Sequence, residues 1–274
     1  PQNPKTPSLG AIIIKRYMEN FKDKSKLQYF VYEFLGIALL TAAWNLSNSD
    51  GFVTMALIVS LISWQTSAAH FNPAITLSSF VYNAGSVTGI KDNIVPLLCL
   101  IFVQFCGMLL GTLFTYICSN ITYPNTDIKV VTPTVKTLCP NPSCLTDDLT
   151  WQTMMMEIFS SLVLCFTYLI IRNFKVSGLA EKWMSIIGPF SVMFTYRAAA
   201  HLNSQTSMGP MNPFVALQLW FWGMEAYNSI DDPIGHPDQT RFSYMNYGSY
   251  AWIYVVAPFG GALLGGLMAS IYDR

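Results

Sequence analysis

The chain has 274 residues and no formal net charge, and 52% of its residues are hydrophobic while only 11% are charged. A soluble globular protein carries about 25% charged residues, so this composition excludes an ordinary soluble domain. The 15 basic and 15 acidic residues cancel, which excludes a basic nucleic-acid-binding surface, and the high apolar content excludes a disordered chain.

The distribution of charge indicates a membrane protein. Asp, Glu, Lys and Arg are all absent from residues 51–90, 93–126 and 242–272. Charge-free stretches longer than about 20 residues are typical of membrane-spanning helices. We therefore expect an integral, multi-pass protein in a lipid bilayer.

In chain order, the sequence predicts a tail, six spans and two shorter segments. Residues 1–27 form a polar, lysine-rich tail, and residues 28–274 form one apolar domain. The six apolar spans, each long enough to cross the hydrocarbon layer, are 28–46, 52–69, 94–119, 151–172, 183–200 and 248–272. The two shorter segments, each beginning with Asn-Pro, are 72–81 and 212–223, and the long polar loops are 120–150 and 224–247.

The basic residues predict the orientation of the six spans. Eleven of them fall on the side that holds both termini, namely Lys5, Lys15, Arg16, Lys22, Lys24, Lys26, Lys91, Arg172, Lys175, Lys182 and Arg274. The other side holds Lys129, Lys136 and Arg241, with Arg197 near the end of the fifth span undecided. Because basic loops stay on the cytoplasmic side, both termini are predicted on the cytoplasm-like side of a membrane that the sequence does not name.

The two halves of the chain resemble each other. Glu33 in the first span has a counterpart in Glu157 in the fourth, and the Asn-Pro segment after His70 has a counterpart near Asn212. The repeats are predicted over about 28–119 and 151–272. Since each holds three spans, an odd number, the second repeat must be inverted in the membrane, which is an architecture of transport proteins.

Each Asn-Pro pair predicts the start of a short helix. Asn is a preferred N-cap, and proline suits the first helical position. Helices of about ten residues, or about 15 Å each, span one membrane only when two of them meet tip to tip. Their positive dipole ends then repel cations at the midplane, while the side chains of Asn72 and Asn212 donate hydrogen bonds to neutral molecules.

The order of these motifs resembles the aquaporin (major intrinsic protein) family, and the resemblance covers nearly the whole chain past residue 27. The motifs that carry it are Glu33, His70-Phe71-Asn72-Pro73-Ala74, Gln104, Glu157, Asn212-Pro213 and Pro258-Phe259-Gly260-Gly261-Ala262. The resemblance implies an all-α membrane fold of six transmembrane helices and two half-helices. It also implies a homotetramer with one pore per subunit, passive transport without a cofactor, and no enzymatic activity.

The resemblance also implies functional residues. The central motifs would be Asn72, Pro73 and Ala74 with Asn212, Pro213 and Phe214. The selectivity filter or pore lining would comprise Phe52, His70, Gly209, Val215 and a residue of the fifth span, for which His201 and Ala200 are the candidates. Glu33 and Glu157 are expected to be structural buried acids that bind the backbone leading into each half-helix.

The chain departs from the family pattern at the second motif. Val215 stands where the family has the filter arginine, Phe214 stands where it has alanine, and the segment between Gly188 and Asn212 is about five residues longer than expected. An apolar filter would admit glycerol, hydrogen peroxide or ammonia besides water. Alternatively, Phe214 would plug the pore and leave a non-conducting structural subunit of a larger membrane complex.

Other chemistry is not indicated by the sequence. The six cysteines lack the spacing of a metal site, and no metal or cofactor is expected. Cys139 and Cys144 flank Pro-Asn-Pro-Ser in a polar loop and would form a disulfide only in an oxidising compartment.

Overall fold

The computed structural model describes residues 24–47, 49–84, 87–122, 147–174, 179–203, 209–218 and 237–273. The predicted tail up to residue 23, the end of the second short segment at 219–223 and the loop that holds Cys139 and Cys144 lie outside these residues.

All regular structure in the described ranges is helical. The helices are α1 (Lys24–Leu46), α2 (Ser49–Ser63), α3 (Pro73–Asn83), α4 (Val87–Thr122), α5 (Asp147–Asn173), α6 (Leu179–Leu202), α7 (213–218) and α8 (Pro237–Tyr272). α3 and α7 are the half-helices, and the other six are the candidates for crossing the membrane.

Four of the described helices are long and apolar enough to cross a membrane on their own. Their apolar parts are Leu27–Leu46, Asn93–Cys118, Trp151–Asn173 and Trp252–Tyr272, which belong to α1, α4, α5 and α8. α6 has 24 residues. α2 has only 15 residues, or about 22 Å, so the turns that follow it complete the path through the bilayer.

The structure corrects two predicted boundaries. The second span was expected over 52–69, but α2 ends at Ser63 because the chain leaves helical geometry before the half-helix, with Ala68 and Ala69 at φ 63° and 53°. The loop expected over 224–247 is helical from Pro237, since proline favours the first turn of a helix even in a polar segment.

Glycines bring the outer helices into close contact in both repeats. A Cβ on Gly107 of α4 would collide with the carbonyl oxygen of Phe34 in α1, and a Cβ on Gly261 of α8 would collide with that of Ile158 in α5. Phe34 and Ile158 each directly follow the glutamate of their span. The same small residues thus allow close backbone approach at matching places in the two halves.

The half-helices lie inside this frame. α3 packs against α4, α5 and α8, and its N-terminal residues Pro73 to Thr76 are all buried. An apolar core formed mainly by α2, α5, α6 and the turn before α3 surrounds this end of the half-helix. The N-terminal tips of α3 and α7 therefore meet in the middle of the bundle rather than at its surface.

Candidate functional site

Each half-helix begins with an asparagine cap. Asn72 has extended backbone, with φ −154° and ψ 119°, and its Oδ1 accepts a hydrogen bond from the backbone N–H of Ala74 at 2.8 Å. In α7 the Oδ1 of Asn212 accepts from the N–H groups of Phe214 and Val215, at 3.1 and 3.4 Å. Both side-chain oxygens are therefore fixed by their own helices, and both amide groups point away from them.

The two caps are bonded across the repeats. The Nδ2 of Asn72 donates to the carbonyl oxygen of Met211 at 2.8 Å, and the Nδ2 of Asn212 donates to the carbonyl oxygen of Phe71 at 2.9 Å. An amide group carries two N–H donors. Within the described residues one donor of each asparagine is used in this way, which leaves a second donor at each tip for a passing molecule.

The chain before each cap has the same unusual backbone. Phe71 and Met211, one residue before the asparagines, lie at φ 46° and 45°, and Ala69 and Gly209, three residues before, lie at 53° and 59°. Left-handed geometry costs a non-glycine residue about 1–2 kcal/mol. The strained geometry occurs at matching positions in both repeats. It turns the carbonyl groups of Phe71 and Met211 toward the asparagine amides of the opposite repeat.

Two features favour glycine at the predicted filter position 209: the positive φ angle and the lack of space for a side chain. A Cβ at this position would lie 2.8 Å from the Cα of Ala200 in α6. The loop before α7 is therefore held close against the end of α6.

Glu33 organises the loop before α3. Its carboxylate is fully buried and accepts bonds from the N–H groups of His70 and Phe71, both at 2.8 Å, and from Ser67 Oγ and Gln104 Nε2, both at 3.0 Å. A buried carboxylate is stable only when it is hydrogen-bonded in this manner. Its position behind the loop, with all four bonds to protein groups, fits a structural role better than contact with a solute.

Glu157 occupies the matching place in the second repeat. It is also fully buried, and its Oε2 accepts from the N–H of Met211 at 3.3 Å while its Oε1 accepts from Asn203 Nδ2 at 3.4 Å. Met211 matches Phe71 in the first repeat, so both glutamates hold the residue that precedes a cap.

An aromatic pair joins α2 and α6. The ring of Phe52 lies 5.5 Å from that of Tyr196 and 4.6 Å from that of Trp44, centroid to centroid, and the Phe52 and Tyr196 side chains are 6% and 7% exposed. The Tyr196 hydroxyl lies 3.5 Å from the carbonyl oxygens of both Gly209 and Pro210. The residue of α6 that faces Phe52 is thus Tyr196, which the sequence analysis missed.

The two candidates from the sequence lie elsewhere on α6. Ala200 is half-buried beside Gly209, and His201 is exposed near the helix end. The segment before Asn212 is longer than the family pattern predicts. Counting residues back from Asn212 therefore gave Ala200 and His201 instead of Tyr196. The signal available in the sequence was that Tyr196 is an aromatic residue of the fifth predicted span, and an aromatic side chain there could pair with Phe52 of the second span.

The substituted residues of the second motif are both accommodated in α7. Val215 is fully buried. The half-buried ring of Phe214 lies 5.6 Å from that of Phe105 in α4, edge to face at 63°. Phe214 therefore packs against α4.

His70 is held from several sides. Its Nδ1 and Nε2 lie 3.2 and 3.4 Å from the hydroxyls of Thr76 and Ser79 in α3. Its ring is 5.5 Å from that of Tyr168, whose hydroxyl donates to the carbonyl of Ala68 at 2.8 Å. Both ring nitrogens thus have protein partners, and the imidazole is fixed in place.

A polar contact that the sequence did not predict holds α7 in place. The side chains of Asn45 in α1 and Gln218 in α7 exchange two hydrogen bonds, at 2.9 and 3.0 Å, and Asn45 also donates to Thr115 in α4 at 3.2 Å. This reciprocal pair anchors the half-helix to two spanning helices.

The arrangement has no chemistry of an enzyme active site among the described residues. Those residues include no cluster of three or more His, Cys, Asp or Glu side chains that could hold a metal ion. Instead, two opposed half-helices present amide donors at the centre of a bundle of membrane-crossing helices. A site of this kind, fixed and uncharged at its centre, defines a membrane channel.

Comparison with known proteins gives the family. The family model described as "Major intrinsic protein" matches residues 30–269, and the chain belongs to this family. No curated protein sequence matches the chain. Among solved structures, the X-ray structure of the aquaglyceroporin from Plasmodium falciparum is similar in fold, with a TM-score of 0.51, 16% sequence identity, and coverage of 89% of this chain and 95% of that chain.

These findings confirm the predicted family and fold class. The protein is an all-α, integral, multi-pass membrane protein of the aquaporin fold, with six membrane-crossing helices and two half-helices in inverted repeats. It is a channel for water or small solutes and not an enzyme.

Proposed function

We propose that the protein passively conducts water and neutral solutes of similar size. The observation that carries this proposal is the pair of crossed bonds between Asn72 and Asn212 and the opposite backbone carbonyls. These bonds fix both amides at the centre and leave each with a second N–H, which is the donor that a single file of water molecules requires.

The proposed filter is aromatic and apolar. Phe52 and Tyr196 form one wall, and Gly209 and Val215 contribute the half-helix side, in line with the positions of the family's filter. Val215 carries no charge and no side-chain donor. The Tyr196 hydroxyl, near two loop carbonyls, is a polar group at this level of the channel.

The packing of the filter residues favours small solutes. Phe52 is held between Trp44 and Tyr196 by ring contacts, so it has little room to move aside. We therefore expect water, ammonia and hydrogen peroxide to pass faster than glycerol. Glycerol remains a necessary test solute, because the solved structure of similar fold is named an aquaglyceroporin.

The rival function is a non-conducting structural subunit. It requires an aromatic side chain across the path, and Phe214, the residue expected to fill that role, packs against Phe105 instead. The contact between Phe52 and Tyr196 is the one observation that supports the rival. Removal of the Tyr196 ring separates the two functions.

The experiment is stopped-flow light scattering of proteoliposomes that contain the full chain. Wild-type vesicles should shrink in sucrose well above the rate of empty vesicles, and Tyr196→Ala should raise glycerol entry severalfold. Phe194→Ala is the matched control, since Phe194 lies on the same helix but is 70% exposed. A folded wild type that conducts nothing, together with a conducting Tyr196→Ala, would establish the structural-subunit reading with a path closed by that ring.

We further propose that the protein is a homotetramer with both termini on the cytoplasm-like side. The family resemblance supports the tetramer, and the excess of basic residues beside the termini supports the orientation. Large exposed apolar side chains, such as Phe102 of α4 at 65%, supply surface for lipid or for neighbouring subunits. Light scattering of the purified protein tests the tetramer, with a mixed complex with other membrane proteins as the alternative.

A further inference from the structure

Arg172 is a cation within a membrane-spanning helix, in the last turn of α5. Its side chain is half-buried, and its guanidinium carbon lies 5.3 Å from the centroid of the Trp64 ring. No carboxylate forms an ion pair with it in the described parts of the chain. Stacking on an indole face holds a guanidinium in a fixed position.

The surroundings of Arg172 belong to the interior of the bundle. Trp64, 4% exposed, lies just past the end of α2, and its ring is 5.7 Å from that of Tyr168 in α5. The ring of Tyr168 is 5.5 Å from His70, which in turn is 6.3 Å from Tyr29 of α1. These four rings, the ring cluster, come from α1, α5, the turn that follows α2 and the loop before α3.

The ring cluster and the Phe52–Tyr196 pair lie at opposite ends of the channel. Phe52 and Trp64 are 12 residues apart along α2 and its first turn, which corresponds to about 18 Å. Along α1, Trp44 contacts Phe52 and Tyr29 contacts His70, and these two are 15 residues or about 22 Å apart. The half-helix tips lie between the two ends.

Among the described residues, no carboxylate forms an ion pair with the positive charge at this end. Glu33 is on the same side of the tips, but its oxygens are taken by four donors of the loop and of α4. The opposite end has the neutral side chain of Val215 where a charged filter residue is expected.

We propose that Arg172, stacked on Trp64 beside the ring cluster, is a specificity-determining residue that excludes monovalent cations and protons at the mouth opposite the Phe52–Tyr196 pair. This inference rests on the proposed channel function. A fixed cation at the mouth of a channel repels cations by direct electrostatics and leaves neutral solutes unaffected. Arg172 thus adds a cation barrier in the half of the channel that α3 enters, besides the positive helix ends at the midplane.

The test compares water and cation entry in proteoliposomes of the full chain. Water permeability is measured by stopped flow, proton entry with an internal pH dye, and K⁺ entry with a K⁺-sensitive dye. Arg172→Gln should raise proton and K⁺ entry at least tenfold, with water permeability within twofold of wild type. Arg172→Lys keeps the charge, including its favourable position at the C-terminus of α5, and should match wild type.

Two further variants make the result specific. Arg197→Gln removes the arginine of α6 and should leave cation entry within twofold of wild type. Arg172→Met keeps the aliphatic stem and serves if Arg172→Gln does not elute as a single folded species.

Cation entry through Arg172→Gln and Arg172→Met within twofold of wild type would overturn the proposal, as would an equal leak through Arg197→Gln. Wild-type vesicles that shrink no faster than empty ones would refute water conduction alone. In that case a leak confined to the charge-removing variants of Arg172 still supports the barrier, and no leak in any variant overturns it.

Discussion

Two neighbouring glycines of α8 should respond in opposite ways to the same added methyl group. A Cβ on Gly261 would lie 2.7 Å from the Cβ of Ser161 and 2.8 Å from the backbone nitrogen of Leu162, and still closer to the Ile158 carbonyl. A Cβ on Gly260 would meet nothing nearer than 3.7 Å. Because the atoms around Gly261 belong mostly to the backbone of α5, they cannot rotate away.

The expected size of the effect follows from this geometry. Ordinary contact begins at 3.4 Å, so in Gly261→Ala the two helices must separate by about 0.6 Å or more. Such overpacking costs about 1–3 kcal/mol. Gly260→Ala should be neutral or slightly stabilising, since alanine is the better helix former by up to about 1 kcal/mol.

The measurement is the apparent melting temperature of the purified protein in one detergent, followed by tryptophan fluorescence. At about 2–4 °C per kcal/mol, Gly261→Ala should melt several degrees below wild type and Gly260→Ala at or above it. Water flux measured on both variants should fall only for Gly261→Ala, because α5 also carries the glutamate that supports the second cap. Equal melting temperatures for the two variants would refute the close approach of α5 and α8.

Four other substitutions have definite expected outcomes. Glu33→Gln places an amide donor against donors and removes about two charge-assisted hydrogen bonds, or about 3–6 kcal/mol at 1.5–3 kcal/mol each, so thermal melts should show a large loss and vesicles a reduced water flux. Asn45→Leu and Gln218→Leu each leave a buried polar partner without its hydrogen bonds, at a cost of about 1–3 kcal/mol. In a double-mutant cycle, the melting temperature of the double variant should fall by less than the sum of the two single-variant decreases. Phe214→Ala should lower stability but change water permeability less than twofold, because the ring packs on Phe105; a large rise in flux would place the ring in the path instead.

The local features of the site could be predicted because their cause lies in adjacent residues. An asparagine followed by proline specifies a capped helix start by itself, and the structure has such starts at Asn72 and Asn212. The positions of Glu33 and Glu157 in matched repeats indicated that they bind matched backbone. Only the structure identifies the bound groups as the N–H groups of Phe71 and Met211, the residues just before the caps.

The missed features depend on distant parts of the chain or on backbone geometry. Asn45 and Gln218 are 173 residues apart, and no local pattern connects them. The end of α2 was missed because the uncharged stretch continues through Ala69 while the backbone leaves the helix. Tyr196 was missed because the extra residues before Asn212 make the family's spacing from the second motif inapplicable to this span.

The crossed bonds at the half-helix tips also bear on how the protein is made. The amide of Asn72 finds its carbonyl partner only on Met211, 139 residues later in the chain. At a synthesis rate of about 5–20 residues per second, the ribosome needs about 7–28 s to supply it. During that interval the first half of the protein holds a polar, strained loop in the bilayer without its final partner, so biogenesis of the channel depends on either water or the insertion machinery to shelter that loop until the second half arrives.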